Sequence, residues 1–311
     1  CAPGNPGILN HAEKAEINIK KFDEISNFCK QRSIDLVVVG PELPLAEGLA
    51  DYLNERDIKI FGPQTFAAQL ETSKGFAKQF MKRNNIPTAA FETFNFEEAE
   101  KTHQYINELR APIVLKADGL AAGKGVVICQ SHDEAHEVID EMFGGSFGES
   151  GKNLVIEEFM EGEEASILAI TDGEDYITLA PSQDHKRILD GDHGKNTGGM
   201  GAYAPAPVVT DDIKEMVCSQ IIEPTIKGIA QEGQKIVGCL YAGLMIRDGQ
   251  PYVIEYNVRL GDPEAQAVMP LFEGDFAALL YSAANGKLDK STVKDVKSSV
   301  ACCVVLASYG Y

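Results

Sequence analysis

Three polar side chains stand at alternate positions of the otherwise apolar stretch VIEYNVRLGDPE (253–264), namely Glu255, Asn257 and Arg259. Carboxylate and amide oxygens suit Mg²⁺, and a guanidinium can hold phosphoryl oxygens through two parallel hydrogen bonds. The spacing is therefore compatible with a site for a metal and a phosphate, but an exposed strand with an incidental Glu–Arg pair explains it equally well. Strict alternation predicts Val253, Glu255 and Asn257 on one strand face, continued by Arg259, and Tyr252, Ile254 and Tyr256 on the other.

A glycine-rich loop lies in the stretch LKADGLAAGKGVV (115–127). It is similar to a Walker A loop, but only three residues separate its first two glycines, and Gly125 stands where a metal-binding hydroxyl belongs. It also precedes a strand rather than a helix, which removes anchoring by a helix N-terminus. We interpret it as a flap that closes over phosphates with backbone N–H groups, with Lys116 pointing at the same phosphates. A plain β-hairpin with a solvated Lys124 is the alternative.

An acidic segment follows in VIEEFMEGEEAS (155–166). The run VIEEF breaks strict alternation, as a strand that enters a hinge would. A hinge peptide can offer backbone groups to an adenine edge, and a later carboxylate can bind ribose hydroxyls. A solvated acidic turn is the alternative interpretation of this stretch.

The composition excludes several classes of function. The 311 residues, 44% hydrophobic and 24% charged, are typical of a soluble globular protein with two or three domains. A net charge of −19 argues against a nucleic-acid partner, although a local positive pocket can still bind small anions. No apolar run is long enough to span a membrane and no secretion signal opens the chain. The seven cysteines, without a CxxC pair, predict reduced thiols and a cytoplasmic protein.

The pattern of elements indicates an α/β protein. Short apolar runs end in GPE (40–42) and GPQ (62–64), and an amphipathic stretch separates them, which predicts a parallel layer with ligands beyond its strand ends. Later strands flank the glycine loop, and Ser131 opens a helix with capping-box spacing. A polar stretch at 182–203 is too long for an ordinary connection and is expected to be functional. Pro224 predicts a kink in a long helix, and an Asp-Gly turn predicts a hairpin just before Glu255.

In this order, the lysine-bearing strand, glycine flap, EEF hinge and E-x-N-x-R resemble the ATP-grasp fold. More narrowly, the chain resembles the phosphoribosylamine–glycine ligase (glycinamide ribonucleotide synthetase) family over essentially its whole length. The segments that carry this resemblance are GPE, KADGLAAGKGV, EEFMEGEEAS, SQDHKR, NTGGMGAY and GDPEAQ. The resemblance implies an α/β protein in which a partial Rossmann-like parallel domain precedes an ATP-grasp fold. The expected domains are an incomplete N-terminal domain at 1–70, an ATP-grasp domain at 71–286 with a flap subdomain at about 87–160, and the start of a truncated C-terminal domain at 287–311.

The family resemblance also implies an activity. ATP would phosphorylate glycine, and the amine of 5-phosphoribosylamine would attack the glycyl phosphate, giving glycinamide ribonucleotide, ADP and phosphate. The cofactors would be ATP and Mg²⁺ or Mn²⁺. The partners would be these small molecules, with no nucleic acid and no membrane.

Site residues follow from the resemblance, position by position. ATP phosphates would meet Lys74, Lys116, Gly123, Lys124 and Gly125; adenine would meet the backbone of Glu157, Glu158, Phe159 and Met160, and ribose Glu164. Glu255 and Asn257 would hold the metal, while Arg259 and Lys116 would act on the transferring phosphoryl group. The acceptor substrates would meet Asp184, His185, Lys186, Arg187, Asn196, Gly198, Gly199 and Gly201.

The sequence departs from the family pattern at a few places. Gly243 stands about where many ATP-grasp enzymes carry a further metal-binding acid, so a second metal would need other ligands, such as Asp262 or Glu264. The expected first strand with its glycine-rich phosphate loop is absent, which puts the phosphoribosylamine site in doubt. Tyr256 and Leu260 replace the usual phenylalanines, a change of packing alone.

Two alternatives remain open. One is another ATP-grasp carboxylate–amine ligase or carboxylase, against which DHKR and NTGGMGAY argue. The other is a nucleotide-binding fragment without turnover. Such a module is expected to lose its metal and phosphoryl ligands first, yet Glu255, Asn257 and Arg259 stand together.

Overall fold

The N-terminal region forms a small parallel α/β layer in a computed structural model that describes residues 1–119, 125–146, 148–191, 193–296 and 299–308. Its elements are α1 (Phe22–Gln31), β1 (Val37–Val38), α2 (Glu42–Ala46), α3 (Leu49–Asn54), β2 (Ile60–Phe61) and α4 (Thr65–Thr72). Strands β1 and β2 pair in parallel, as the sequence predicts. Asp51 on α3 accepts hydrogen bonds from the backbone N–H and the hydroxyl of Thr65, which fixes the start of α4.

Helix α5 and a four-stranded antiparallel sheet carry the glycine loop. The elements are α5 (Lys74–Arg83), β3 (Phe91–Asn95), α6 (Ala99–Glu108), β4 (Ile113–Ala117), β5 (Val126–Cys129), α7 (His132–Glu141) and β6 (Asn153–Glu158), with strand order β3-β6-β4-β5. One sheet face buries Leu115 and Ile156 against α6 and α7. Because side chains alternate, Lys116 and Glu157 lie on the other face, toward α5. Ser131 caps α7 by accepting from the N–H of Glu134, as predicted.

A second four-stranded antiparallel sheet lies later in the chain and carries Glu255 and Asn257. It contains β7 (Glu163–Thr171), β8 (Tyr176–Thr178), β13 (Gly238–Arg247) and β14 (Gln250–Asn257) in the order β14-β13-β7-β8. The predicted hairpin joins β13 to β14 through Asp248 and Gly249, both with positive φ, as a type I′ turn requires. One face packs on α8 (Asp211–Val217) and α9 (Glu223–Gln231). A π-helical turn at Cys218–Ile222 joins these helices just before Pro224, where the sequence predicts a kink. Such turns are common sites of helix bending.

The remaining elements surround the other face of this sheet. They are β9 (Gln183–Asp184), β10 (Arg187–Leu189), β11 (His193–Asn196), β12 (Gly201–Ala204), α10 (Glu264–Val268), β15 (Phe272–Gly274), α11 (Phe276–Ala284), β16 (Val293–Val296) and β17 (Ala301–Val304). The long polar stretch is therefore a set of short strands, in which β12 pairs with both β9 and β17. No helix in the described ranges is long and apolar enough to cross a membrane.

A β-bulge in β14 overturns part of the predicted alternation. Glu255 pairs with Gly243, but Val253 pairs with Leu244, so Ile254 is an extra residue. One extra residue shifts the side-chain alternation by one position. Val253 therefore joins Tyr256 in the buried core, and Tyr252 moves to the face of Glu255. The prediction that Val253 shares a face with Glu255 is wrong, whereas Glu255 and Asn257 do share one.

Candidate active site

Glu255 and Asn257 project from the end of β14, opposite Gly243 and Tyr241 of β13. A Cβ at position 243 would lie only 3.2 Å from Cγ of Glu255, so the glycine leaves room for this carboxylate. The carboxylate of Glu255 makes no hydrogen bond or ion pair to another described residue. Its charge nevertheless acts on two lysines. Burial lowers the pKa of Lys74 and Glu255 opposes that fall, whereas at Lys186 burial is outweighed by Glu255 and other carboxylates, which raise the pKa. The carboxylate is thus surrounded by positive charge and keeps its oxygens available.

These oxygens suit a metal that is bound together with phosphates. The described ranges contain no group of three or more His, Cys, Asp or Glu arranged for a metal. Mg²⁺, however, keeps several waters and is commonly bound by one or two carboxylates plus substrate phosphates, so Glu255 and Asn257 fit that mode. The suggested substitutes are engaged elsewhere: Asp262 accepts from the Gln266 amide at 2.6 Å, and Glu264 from the Tyr241 hydroxyl at 3.0 Å.

A buried cluster of charges lies beside β14. The two carboxylate oxygens of Glu157 lie 2.8 Å from Nζ of Lys116 and 2.8 Å from Nζ of Lys78. Burial alone would raise the pKa of Glu157, but the two ammonium groups outweigh burial and hold it below its ordinary value. Lys116 also donates to the carbonyl oxygen of the bulged residue Ile254, at 3.2 Å. The cluster therefore holds the Lys116 ammonium against the strand that carries Glu255.

Lys78 is a further charged residue of this cluster that the sequence motifs did not indicate. Burial lowers its pKa from 10.5 to about 8, against the opposing charge of Glu157, and it donates to the Thr88 hydroxyl at 2.7 Å. The available signal was its position on α5, four residues after Lys74, which places both lysines on one helix face. The predicted role of the Glu157 backbone toward adenine is separate from this side-chain contact and stays a prediction.

Lys74 and Asp118 join the base of the glycine loop to α5. Lys74 donates through Nζ to the carbonyl of Gly119 at 2.9 Å, and burial lowers its pKa. Asp118 accepts from the Ser73 hydroxyl at 3.1 Å and from the Gly75 N–H at 3.2 Å. The carbonyl of Gly125, itself buried, accepts from the N–H of Ala117 on the other side of the loop. The predicted flap residues Gly123 and Lys124 lie outside the described residues.

The predicted hinge connects the two sheets. It runs from Glu158, where β6 ends, to Glu163, where β7 begins. Met160 is buried and Phe159 half-buried, and neither backbone N–H is used in a hydrogen bond to a described residue. Glu164, the predicted ribose ligand, lies 3.0 Å from Nζ of Lys186. The contact brings the hinge region next to the DHKR segment.

The DHKR segment contributes two charged groups near Glu255. Burial raises the pKa of Asp184. Burial opposes the charge of Lys186, but the carboxylates of Glu255, Glu164 and Asp184 outweigh it and raise the lysine pKa. His185 exchanges backbone hydrogen bonds with Met200 and Gly201, which ties the segment to the end of NTGGMG.

The other predicted substrate residues lie at different places. Arg187 and Asn196 are paired and exposed on the β10–β11 hairpin, where Arg187 donates to the Gly194 carbonyl. Gly198 is exposed, whereas Gly199 and Gly201 are buried. A Cβ at either buried glycine would collide with a neighbour, with the Pro263 ring at 199 and with the Cys303 carbonyl at 201. Close packing and a positive φ therefore require glycine at these two positions.

Arg259 lies just beyond β14, beside Asn257. Its guanidinium donates to Oδ1 of Asn257 at 3.4 Å and forms an ion pair with Glu71 at 3.1 Å. The sequence motifs did not indicate Glu71. Nor did they indicate Tyr241, whose hydroxyl contacts Ser166 and Glu264 on the site face of the sheet. Burial raises the pKa of Tyr241 well above its ordinary value.

Comparison with known proteins identifies relatives along the whole chain. Residues 1–71 match the family model described as the N domain of phosphoribosylglycinamide synthetase, and residues 72–265 match its ATP-grasp (A) domain. A phosphoribosylamine–glycine ligase of Rhizobium meliloti is 49% identical over 311 residues, covering 100% of this chain and 73% of the relative.

Solved structures also include a phosphoribosylamine–glycine ligase that is similar to this chain. A phosphoribosylamine–glycine ligase of Thermotoga maritima superposes with a TM-score of 0.84 at 34% identity, covering 99% of this chain and 74% of the other. A biotin carboxylase of Campylobacter jejuni, solved as a β,γ-ATP complex, has a TM-score of 0.72 at 18% identity, over 91% of this chain and 62% of the other. At that identity the likeness concerns the fold alone.

Proposed function

Because the chain belongs to the phosphoribosylglycinamide synthetase family, we propose that it ligates glycine to 5-phosphoribosylamine at the expense of ATP, in de novo purine biosynthesis. The products are glycinamide ribonucleotide, ADP and phosphate, so the enzyme is an ADP-forming carbon–nitrogen ligase. One structural observation supports this function in addition to family membership. Lysines from α5, from β4 and from the DHKR segment converge on the strand that bears Glu255 and Asn257.

ATP is positioned by residues from both sheets. Lys74 and Lys116 hold the phosphates under the glycine loop, with Gly123, Lys124 and Gly125 as its closing part. The free backbone N–H groups at 159 and 160 support an adenine site along 157–160, with Glu164 on the ribose. Glu255 and Asn257 would hold Mg²⁺ or Mn²⁺, which would neutralise negative charge on the phosphates.

The first chemical step transfers the γ-phosphoryl group to glycine. A carboxylate oxygen of glycine forms a bond to phosphorus as the bond to the β-phosphate bridging oxygen breaks, which gives glycyl phosphate and ADP. Arg259 donates hydrogen bonds to the transferring group. A preorganised donor of this kind is worth about 3–4 kcal/mol in the transition state. This side-chain work is positioning and electrostatic stabilisation.

The second step forms the amide bond. The amine of 5-phosphoribosylamine attacks the carbonyl carbon of glycyl phosphate, inorganic phosphate leaves, and the nitrogen loses a proton. We assign Lys186 and Asp184 to contacts with these acceptor substrates, and their proximity to Glu255 and Glu164 supports that assignment. Arg187, Asn196 and Gly198 are exposed, so we expect them to contact the acceptor substrates only if their segment closes over the bound substrate.

We also infer a cytoplasmic enzyme whose partners are small molecules. The described cysteines are all unpaired, and two of the seven are exposed, which fits a reducing compartment. The net charge of −19 opposes binding to nucleic acid.

The test is ADP release from Mg-ATP by the full-length protein, with glycine and freshly made 5-phosphoribosylamine each omitted in turn. The proposal expects ADP only when both are present. Mass spectrometry of the product identifies glycinamide ribonucleotide directly. ADP that forms with another carboxylate or amine, and not with this pair, would overturn the substrate assignment while leaving the ligase class intact.

A further inference from the structure

Two carboxylates from the N-terminal region flank the guanidinium of Arg259. Oε1 of Glu71, near the end of α4, lies 3.1 Å from Nη2 of Arg259. Oε2 of Glu42, at the start of α2, lies 3.6 Å from Nε. The ATP-grasp sheet thus places its arginine in a socket that another part of the chain builds.

Glu71 is built into the fold as an anchor. Its side chain is only 5% exposed, and its second oxygen accepts from the backbone N–H of Val258 at 2.8 Å. One carboxylate therefore holds both the backbone immediately before Arg259 and the guanidinium itself. Burial raises the pKa of Glu71, and the charge of Arg259 opposes that rise.

The remaining guanidinium contacts involve Nη1 and Nη2 but not Nε. Nη1 donates to the carbonyl of Leu260 at 3.2 Å, and Nη2 reaches Asn257 at 3.4 Å. Nε is buried and makes no hydrogen bond to a described residue, because Oε2 of Glu42 at 3.6 Å is too far away for one. A buried N–H without an acceptor is costly, so an arginine free to rotate would turn this donor to solvent or to a neighbour. Glu71 is the strongest contact that prevents such a rotation.

We propose that Glu71 is a positioning residue that sets the orientation of Arg259 for phosphoryl transfer. The proposal rests on the proposed function, because it takes Arg259 as the group that contacts the transferring phosphoryl. Glu71 does not touch substrate and acts through Arg259 alone. The N-terminal region thereby contributes to the ATP chemistry that we propose at the end of β14.

The test compares Glu71→Gln, Glu71→Asp and Arg259→Lys in the full-length protein. Glu71→Gln removes the charge at constant size, and we expect kcat to fall at least tenfold while KM for ATP stays within twofold. Glu71→Asp keeps the charge and should recover part of kcat. The matched control is Asp51→Asn, which removes a carboxylate that anchors only Thr65 and Gln64 in the same region; kcat should stay within twofold.

A double variant separates positioning from general damage. If Glu71 acts only through Arg259, Glu71→Gln combined with Arg259→Lys should be within threefold of Arg259→Lys alone. Multiplying losses would overturn the proposal, as would an unchanged kcat in Glu71→Gln. If Glu71→Gln does not fold, Glu71→Asp decides, since full kcat there would refute a geometric role.

A readout independent of turnover keeps the two proposals apart. The ¹⁵Nε–¹H resonance of Arg259, assigned by its loss in Arg259→Lys, should exchange with water at least tenfold faster in Glu71→Gln or Glu71→Asp than in Asp51→Asn. Unchanged exchange would contradict the inference about Glu71. A wild-type protein without ligase turnover but with this exchange difference would contradict the proposed function alone.

Discussion

At the scale of single residues, neighbours decide what each charged group can do. Glu157 and Glu255 are both carboxylates close to lysines, yet Glu157 is held in a buried cluster, whereas no described residue pairs with the carboxylate of Glu255. The carboxylate of Glu157 contributes to the architecture, because each of its oxygens already lies against a lysine ammonium group. A carboxylate with free oxygens in a positive environment is suited to bind a cation. This difference assigns Glu157 to the framework and Glu255 to the proposed chemistry.

Glu255→Ala should abolish ligase turnover without unfolding the protein. The variant removes one of two proposed metal ligands but no hydrogen bond between described residues, so the melting temperature should stay within a few degrees. The measurements are ADP release at saturating substrates and thermal unfolding. The control Glu174→Ala removes an exposed glutamate that contacts only Lys235 among ion-pair partners and should keep full activity. A Glu255→Ala protein that melts near ambient temperature would instead show a structural role.

At the scale of elements, α5 and the glycine loop behave as one unit. Ser73 caps α5 by accepting from the Phe76 N–H, while Asp118 at the loop base bonds to Ser73 and to the Gly75 N–H. A Cβ at position 75 would lie 3.2 Å from Oδ2 of Asp118, so the close approach favours glycine there. The start of the helix that bears Lys74 is therefore connected to the loop that is expected to close over phosphates.

Asp118→Asn should weaken ATP binding more than it slows chemistry. The amide has a single acceptor oxygen and no charge, so one of two hydrogen bonds is lost. A bond to a charged group contributes about 1.5–3 kcal/mol, and we expect KM for ATP to rise about tenfold with kcat within threefold. Ser131→Ala is the matched control, because it removes the cap of α7 at the other helix layer; it should cost about 1 kcal/mol of stability and leave KM unchanged. Equal KM values in both variants would contradict this coupling.

At the scale of the whole molecule, buried charges join the two sheets. Lys78 lies on α5, and Glu157 and Lys116 lie on the sheet β3-β6-β4-β5. Lys116 reaches the Ile254 carbonyl, 138 residues away, on the sheet β14-β13-β7-β8. A buried ion pair is weak evidence for stability by itself, but removal of one partner leaves an uncompensated charge. The cluster should therefore be a point where acid and mutation both loosen the association of the sheets.

Glu157→Gln should lower the free energy of unfolding by about 3–5 kcal/mol, since two buried ammonium groups lose their counter-charge. The pKa of Glu157 in the folded protein lies below its ordinary value of 4.5. Below pH 4.5 the unfolded chain therefore takes up this proton first, and stability falls as the pH drops toward the folded-state pKa. The variant lacks this contribution, so the difference between wild type and variant should shrink below pH 4.5.

Urea unfolding across pH 3 to 7 measures that difference. Glu232→Gln is the control, because it breaks an ion pair between the partly exposed Arg83 and Glu232 and should cost only about 0–1 kcal/mol. A difference between wild type and Glu157→Gln that is constant with pH would rule out the ion-pair account.

Features set by neighbouring residues could be read directly from the chain. The Asp248–Gly249 turn and the Ser131 cap each depend on a few adjacent residues, and the structure has both. Alternation also placed Glu255 and Asn257 on one face correctly. The family motifs extended these local predictions to the ATP-grasp fold and its order of elements.

Features that join distant segments depended on the fold. The bulge at Ile254 forms where β14 meets β13, so its effect on Val253 is invisible in local spacing. Lys78 and Glu157 meet only because α5 packs on the sheet β3-β6-β4-β5. Glu71 reaches Val258 across 187 residues, and no periodicity in either segment encodes that distance. Chain geometry specifies which residues point inward, but the partner each one meets is decided when separate elements pack together.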